Sequence, residues 1–303
     1  MSVVVAGASG LIGRALVERL LSQGRGVTVL ARRPDRLPPS WNGRIRAVAW
    51  GGRGQGPWTA ALDGARAVVN LCGENIGQRR WSARRKRELL DSRLDSTGAL
   101  VEALRSLAGA RRRLINASAV GFYGDRPEGN ADEDDPPGEG FLARLCARWE
   151  ASAGEARAFG VSTALARFGI VLAREEGALP RLALPFRFFV GGPIGSGRQW
   201  LSWIHRDDAV AALLWLIDHP ELEGPFNLAS PRPERQGDFA LKLGRALRRP
   251  SRLPIPGPVL RLALGEMSEA LLGGQRAAPR RLLESGFQFA FPGLDEALAQ
   301  LYR

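Results

Sequence analysis

The chain reads as an α/β protein: a Rossmann-type, doubly wound parallel sheet followed by a smaller, mostly helical C-terminal domain. Three observations predict this. Short apolar runs alternate with helix-length amphipathic stretches through the first half. A glycine-punctuated turn, Gly7-Ala-Ser-Gly10-Leu-Ile-Gly13, stands between the first apolar run and the first helical stretch. The run 67–72 is apolar apart from Asn70, as suits a parallel strand covered on both faces.

Taken in order, residues 2–6 form a short buried strand, and 11–21 carry helical apolar spacing. Residues 27–31 are a second strand, 45–50 a weaker third and 67–72 a buried fourth. Helix is expected over 84–107, where Leu89, Leu90, Leu94, Leu100, Val101 and Leu104 recur on one side. A strand at 114–118, a helix at 141–159 and a strand at 162–167 complete the alternation. The segment 124–140 (GDRPEGNADEDDPPGEG) is acidic and rich in Gly and Pro, so it is a surface loop and a candidate lid. After about residue 172 helical stretches dominate, broken by Pro- and Gly-rich segments. The expected division is a nucleotide-binding domain over 1–175, to which 200–229 return, and a substrate-side domain made of 176–199 and 230–303.

Of the 303 residues, 45% are hydrophobic, which suits a packed core and excludes a disordered chain. No apolar run reaches the roughly 18 residues of a membrane span. The start, MSVVVAGASG, has neither basic n-region nor cleavage site, so a cytoplasmic location is expected. The net charge of +12 raises a nucleic-acid partner. The arginines are scattered, however, apart from runs at 84–87 and 111–113, and no nucleic-acid-binding signature is present. The expected partner is a small molecule, neither nucleic acid nor membrane, with monomer and homodimer both open. Cys72 and Cys146 lack metal spacing, and His205 and His219 are the only histidines, so no metal site is expected. No GxSxG elbow is present.

A phosphate needs backbone N–H groups with no side chain in the way. Gly7 makes the tight turn, Gly10 admits a pyrophosphate and Gly13 lets helix and strand pack, with the positive helix end facing the phosphates. An NAD site places an acid at the end of the second strand, to accept from the ribose 2′-hydroxyl. Here that strand ends Ala31-Arg32-Arg33. A guanidinium pairs with a 2′-phosphate, so the expected cofactor is NADP rather than NAD.

In this order the residues resemble the extended short-chain dehydrogenase/reductase family. GASGLIG resembles its glycine fingerprint, Asn70-Leu-Cys-Gly73 its fourth-strand signature, Phe122-Tyr123-Gly124 its segment after the fifth strand, and Trp203-Ile-His205-Arg-Asp207 a motif of its second half. The likeness is closer to the atypical bacterial and mitochondrial "epimerase family" proteins. It is carried by GENIGQRRW at 73–81, SRLDST at 92–97, SAVGFYGD at 118–125, FLARLCARWEA at 141–151, GGPIGSGRQWLSWIH at 191–205 and GQRAAPRRLLESGFQFAFPGLDEAL at 274–298. The resemblance implies a cofactor path along Gly7, Ser9, Gly10, Leu11, Ile12 and Gly13 at the phosphates and Arg32 and Arg33 at the 2′-phosphate. Leu71, Cys72, Gly73 and Glu74 would follow behind the ribose, with Arg93 near a phosphate and Val171 beside the nicotinamide.

The ordinary family moves protons with a Tyr-x-x-x-Lys pair on the helix after the acidic loop. Aligned on Glu150, those positions are Leu142 and Cys146 here; shifted by one they are Phe141 and Leu145. The family's Ser/Thr falls on Ala119, beside Ser118. Remaining catalytic candidates are Tyr123, Ser118, His205 and Glu74, of which Glu74 also reads as a ribose contact. His205 also reads as a hydrogen bonder at a strand end, and Tyr123 as a loop-shaping residue. Arg198 and Trp200, in a glycine-rich stretch, are candidate substrate contacts for an anion and a ring. Two readings stand. One is an NADP-dependent oxidoreductase or epimerase with a small, anionic or sugar-nucleotide substrate. The other is a non-catalytic NADP(H)-binding sensor or partner-binding protein.

Overall fold

In the computed structural model, which describes residues 2–107 and 112–303, Val3 and Val5 of the first strand face one helical layer while Val4 and Ala6 face the other. All four are fully buried, which accounts for the unbroken apolar run. From β1 (Ser2–Ala6) the chain forms α1 (Leu11–Ser22), β2 (Gly26–Ala31) and β3 (Arg46–Ala49), then crosses to β4 (Ala67–Asn70). Next come α2 (Ala83–Ser106), β5 (Arg113–Ala119), α3 (Phe141–Gly154) and β6 (Ser162–Phe168). β7 (Ile170–Leu172), α4 (Leu179–Arg187), β8 (Trp200–Leu201) and β9 (Trp203–His205) precede α5 (Arg206–Asp218), which returns the chain to β10 (Gly224–Leu228).

Seven strands lie in the order β10-β6-β5-β4-β1-β2-β3, every pair parallel. α1 packs with α5 on one face, and α2 with α3 on the other. The winding reverses between β1 and β4, and a crevice opens beyond the strand ends at such a switch point. The remainder is β11 (Glu234–Arg235), α6 (Gln236–Leu247), α7 (Gly257–Leu264), α8 (Glu269–Leu272), α9 (Arg280–Glu284) and α10 (Leu294–Leu301). α4, α6 and α10 close a separate apolar core around Leu179, Phe186, Phe239, Leu243, Leu294 and Leu298.

Three expectations change. The fourth strand stops at Asn70, not Cys72, because the Asn70 side chain turns the chain: its Oδ1 accepts from the Cys72 N–H at 3.1 Å. The helix expected over 141–159 ends as α-helix at Gly154 and continues as a 3₁₀ segment, Glu155–Phe159. The segment 124–140 is strapped rather than loose. Ala131 and Ala278 bond to each other's strand neighbourhood, Ala131 N–H to Arg276 O at 2.8 Å and Ala278 N–H to Ala131 O at 2.9 Å. Glu133 is buried, accepting from the Asn227 N–H at 3.0 Å. Of the basic run 111–113, Arg111 lies outside the described residues. Among the described residues no helix is long and apolar enough to cross a membrane.

Candidate functional site

The glycine turn is demanded by the chain at two positions and left open at the third. Gly7 adopts φ +80°, and a Cβ there would lie 2.6 Å from the Leu71 carbonyl carbon. A Cβ on Gly13 would lie 2.3 Å from the Gly7 oxygen. Gly10 has only that oxygen within reach, at 3.5 Å, so the protein itself does not need its missing side chain. Gly10 caps α1 without a side-chain bond, and no acid stands in the first turn. The N–H groups ahead of Arg14 have no helical acceptor and the positive helix end is uncovered.

Above this turn lies a cleft of about 1230 Å³. Gly10, Leu11 and Ile12 bound it on the α1 side, Gly73, Glu74 and Arg93 on the α2 side, and Val171 at β7. Its far wall is the C-terminal segment, including Arg261 of α7 and Leu272 of α8. That wall is tied back by Arg80, whose Nε donates to the Ala263 carbonyl at 2.7 Å, and by the Lys86–Glu266 ion pair. Gly7 and Gly13 lie behind the surface as packing glycines, and Ser9 is exposed beside the opening. Leu71 backs Gly7, and Cys72 is close enough to Arg32 to feel its charge. Burial pushes the Cys72 thiol up to about 12, against the pull of Arg32, so it stays neutral. Arg32 and Arg33 are exposed at the end of β2, and neither forms an ion pair or side-chain hydrogen bond among the described residues. Glu74 has its carboxylate held by Arg85 at 3.3 Å.

At the other half of the cleft the catalytic candidates are not free. The Tyr123 ring reaches the wall, but its hydroxyl points into the protein. That hydroxyl donates to Asn227 Oδ1 at 2.7 Å and accepts from Arg167 Nη1 at 2.9 Å. Burial raises its pKa well above the ordinary phenol, despite the neighbouring Arg167. Ser118 is buried behind Ala119 and donates to Glu150 Oε1 at 2.6 Å. Glu150 also takes a two-pronged pair from Arg167, both contacts at 2.8 Å, and the Arg167 guanidinium lies 3.6 Å above the Phe122 ring. These groups form one satisfied, buried network, whose job is to join α3, β6 and β10.

His205 is fully buried away from the cleft. Its Nδ1 accepts from the Asp207 N–H at 3.2 Å, capping α5, and its Nε2 meets Gln300 Oε1 at 3.0 Å. An accepting Nδ1 means a neutral ring with the proton on Nε2, and burial lowers the pKa accordingly. In this structure the polar atoms of Tyr123, Ser118 and His205 are thus all bonded within the fold. Arg198 lies outside the cleft lining. It is exposed, its carbonyl accepting from Arg235. Trp200 does line the cleft, with Arg235 at 3.8 Å and Arg276 at 4.9 Å from its ring. Those two arginines were missed by sequence reading, since nothing in their spacing ties them to Trp200.

Leu142 and Cys146, where the resemblance places tyrosine and lysine, both line the cleft. Arg93 lies beside Cys146 and stacks on Trp149, its guanidinium 5.0 Å from the ring. It thus stands on the α2–α3 side of the cleft.

The sequence matches the NAD dependent epimerase/dehydratase family over residues 3–229, and a domain of unknown function, DUF1731, over 255–301. The epimerase family protein ML0860 of Mycobacterium leprae is 43% identical over 298 residues, 98% of this chain and 94% of the relative. The chloroplastic SDR39U1 homolog of Arabidopsis thaliana is 38% identical over 303 residues, 98% of this chain and 86% of that one. Among solved structures, human epimerase family protein SDR39U1 (isoform 2), crystallised with NADPH, superposes with a TM-score of 0.87 at 33% identity, covering 100% of this chain and 99% of the other. With the switch-point cleft, the glycine turn and these matches in agreement, the chain belongs to the NAD dependent epimerase/dehydratase family.

Proposed function

We propose that the chain binds NADP in the switch-point cleft and acts as an oxidoreductase or epimerase on a small substrate, anionic or of sugar-nucleotide type. The observation that carries this is the opening at Gly10 beneath an uncapped α1, with two unpaired arginines at the end of β2. The crystallisation of the human relative with NADPH supports the choice of cofactor. In this reading the N–H groups of Leu11 and Ile12 hold the pyrophosphate over Gly10, with Gly7, Ser9 and Gly13 shaping the turn. Arg32 and Arg33 take the 2′-phosphate, while Leu71, Cys72, Gly73, Glu74 and Val171 flank the nicotinamide half. Bound NADP supplies the hydride donor or acceptor. Residues 176–199 and 230–303 form the substrate side, where Trp200 gives an apolar face and Arg235 and Arg276 attract an anion. The neutral lining at Leu142 and Cys146 excludes water without offering a proton carrier.

The second reading, a non-catalytic NADP(H) binder, is favoured by the commitment of the Tyr123, Ser118 and His205 polar atoms to structure. Stereospecific hydride exchange from bound NADPH on a panel of carbonyl and sugar-nucleotide compounds separates the two.

The cofactor reading is tested by titrating the protein with NADPH and NADH, followed by fluorescence. NADPH should bind more tightly, and Arg32→Ala with Arg33→Ala should cost NADPH roughly 10- to 100-fold with little change for NADH. Equal affinities in the unaltered protein would overturn the assignment of those arginines.

A further inference from the structure

Arg93 is a cation in a costly place. It is buried on α2 and forms no ion pair among the described residues. Nη1 donates to the Leu89 carbonyl at 2.8 Å and Nη2 to the Glu74 carbonyl at 3.1 Å. Its Nε–H is buried with no partner at all. A guanidinium has five N–H donors, so these two neutral acceptors leave most of its capacity unused. Burial pulls its pKa below the usual arginine value, only partly offset by Glu74, whose carboxylate is bonded to Arg85 instead. Such a group is poorly explained as a packing residue, because satisfying it would take only a nearby carboxylate.

Its surroundings indicate what it faces. Gly73, directly beyond β4, would carry a Cβ only 3.2 Å from the Arg93 Cζ, so the absent side chain makes room for the guanidinium. On the other side stand Trp149 and Cys146 of α3. Cys146 occupies the position at which the ordinary family carries its lysine. Its thiol is neutral, pushed up to about 11 mainly by burial. One helix has lost a cation, and the neighbouring helix brings one to the same wall of the cleft. In a doubly wound sheet the pyrophosphate sits over the first strand, and the half of the crevice beyond β4 and β5 takes the other nucleoside.

We propose that Arg93 is the fixed positive charge of the nicotinamide half of the cleft, donating its free N–H groups to the oxygens on the nicotinamide-ribose side of a bound dinucleotide. The proposal rests on the NADP reading of the cleft. It differs from a phosphate contact, and from a purely structural tie between α2 and the segment after β4.

Two probes separate a contact in the nicotinamide half from one at the adenine end and from a purely structural tie. NADPH spans the whole cleft, whereas adenosine 2′,5′-bisphosphate has the adenine, the 2′-phosphate and one 5′-phosphate but no nicotinamide half. Affinities for both are measured on the full chain by calorimetry, with the melting temperature of each variant recorded alongside. Arg93→Met should weaken NADPH roughly 10- to 100-fold and leave the bisphosphate unchanged. Arg93→Lys should recover part of the loss. If Arg93→Met does not fold, Arg93→Gln, which keeps donors for the Leu89 and Glu74 carbonyls, carries the same comparison. Equal weakening of both probes, or of neither, would overturn the proposal. If the unaltered protein binds the bisphosphate but not NADPH, Arg93 has no partner and the proposal falls while the adenine end stands. If it binds neither probe, the cofactor reading falls and takes the proposal with it.

Discussion

Around α1 the cleft is made of backbone, and around α3 it is made of side chains. At the α1 end Gly7 and Gly13 are forced by contacts of 2.6 and 2.3 Å that any Cβ would create, and what they leave open is a row of N–H groups. At the α3 end Tyr123, Ser118 and Glu150 are bound into one network with Arg167 and Asn227, and their polar atoms face away from the cleft. A backbone site is specified locally, by where glycine stands. A side-chain site depends on which partner each group finds after the chain has folded, and here the partners are structural.

The largest effect should come from the buried pair behind the α3 end. Arg167→Met leaves Glu150 uncompensated in the interior, which costs about 3 to 5 kcal/mol. Urea unfolding measures it, and an unchanged midpoint would mean the network is not what joins these elements. Next, two glycines three residues apart should behave differently. Gly13→Ala drives a methyl into the Gly7 carbonyl and should destabilise by about 1 to 3 kcal/mol. Gly10→Ala should leave stability within about 0.5 kcal/mol and yet weaken NADPH sharply. If Gly10→Ala binds normally, no phosphate lies over that turn.

Tyr123→Phe removes the partner of Asn227 and of Arg167 and should cost about 1 to 2 kcal/mol in stability. Its affinity for cofactor should be unaltered. A turnover abolished by this change in a protein of normal stability would return Tyr123 to the list of catalytic groups.

The smallest effect is pH-dependent. His205 is held neutral, with its folded pKa below the ordinary 6.5 through burial, opposed by Asp207, Gln300 and Asp208, and reinforced by Arg206. The unfolded chain therefore takes up a proton first as pH falls. The stability contributed by His205 is complete above about pH 6.5, declines as pH falls from there toward the lowered folded value, and levels off below it. Asn at this position keeps an acceptor for the Asp207 N–H but does not titrate. His205→Asn should lose about 1 kcal/mol at pH 7.5 and show a shallower decline between pH 7.5 and 5.5. An identical slope in both proteins would mean that His205 is not held neutral.

The same contrast explains what the sequence made legible. The seven-strand parallel sheet follows from β1, β4 and the glycine turn, because a largely apolar strand and a tight turn are local statements. The orientation of Tyr123 is set by Asn227, which lies 104 residues away, and that of His205 by Gln300, 95 residues away. No spacing rule reaches so far. The resemblance placed Arg93 on the cofactor path, but its surroundings, Gly73 making room and Trp149 offering a face, depend on the fold. Arg235 and Arg276 became visible only once β11 and the segment before α9 had packed against β8.

A crystal structure with NADPH bound tests the central claim, that the cofactor end is built by backbone and the reacting end carries a fixed cation in place of a proton-moving pair. The predicted result has the pyrophosphate over Gly10, the nicotinamide between Gly73 and Val171, and Arg93 on its ribose, with the Tyr123 hydroxyl still bonded to Asn227. A nicotinamide whose reactive carbon faces the hydroxyl of Tyr123 or Ser118, with Arg93 on the pyrophosphate, would contradict it.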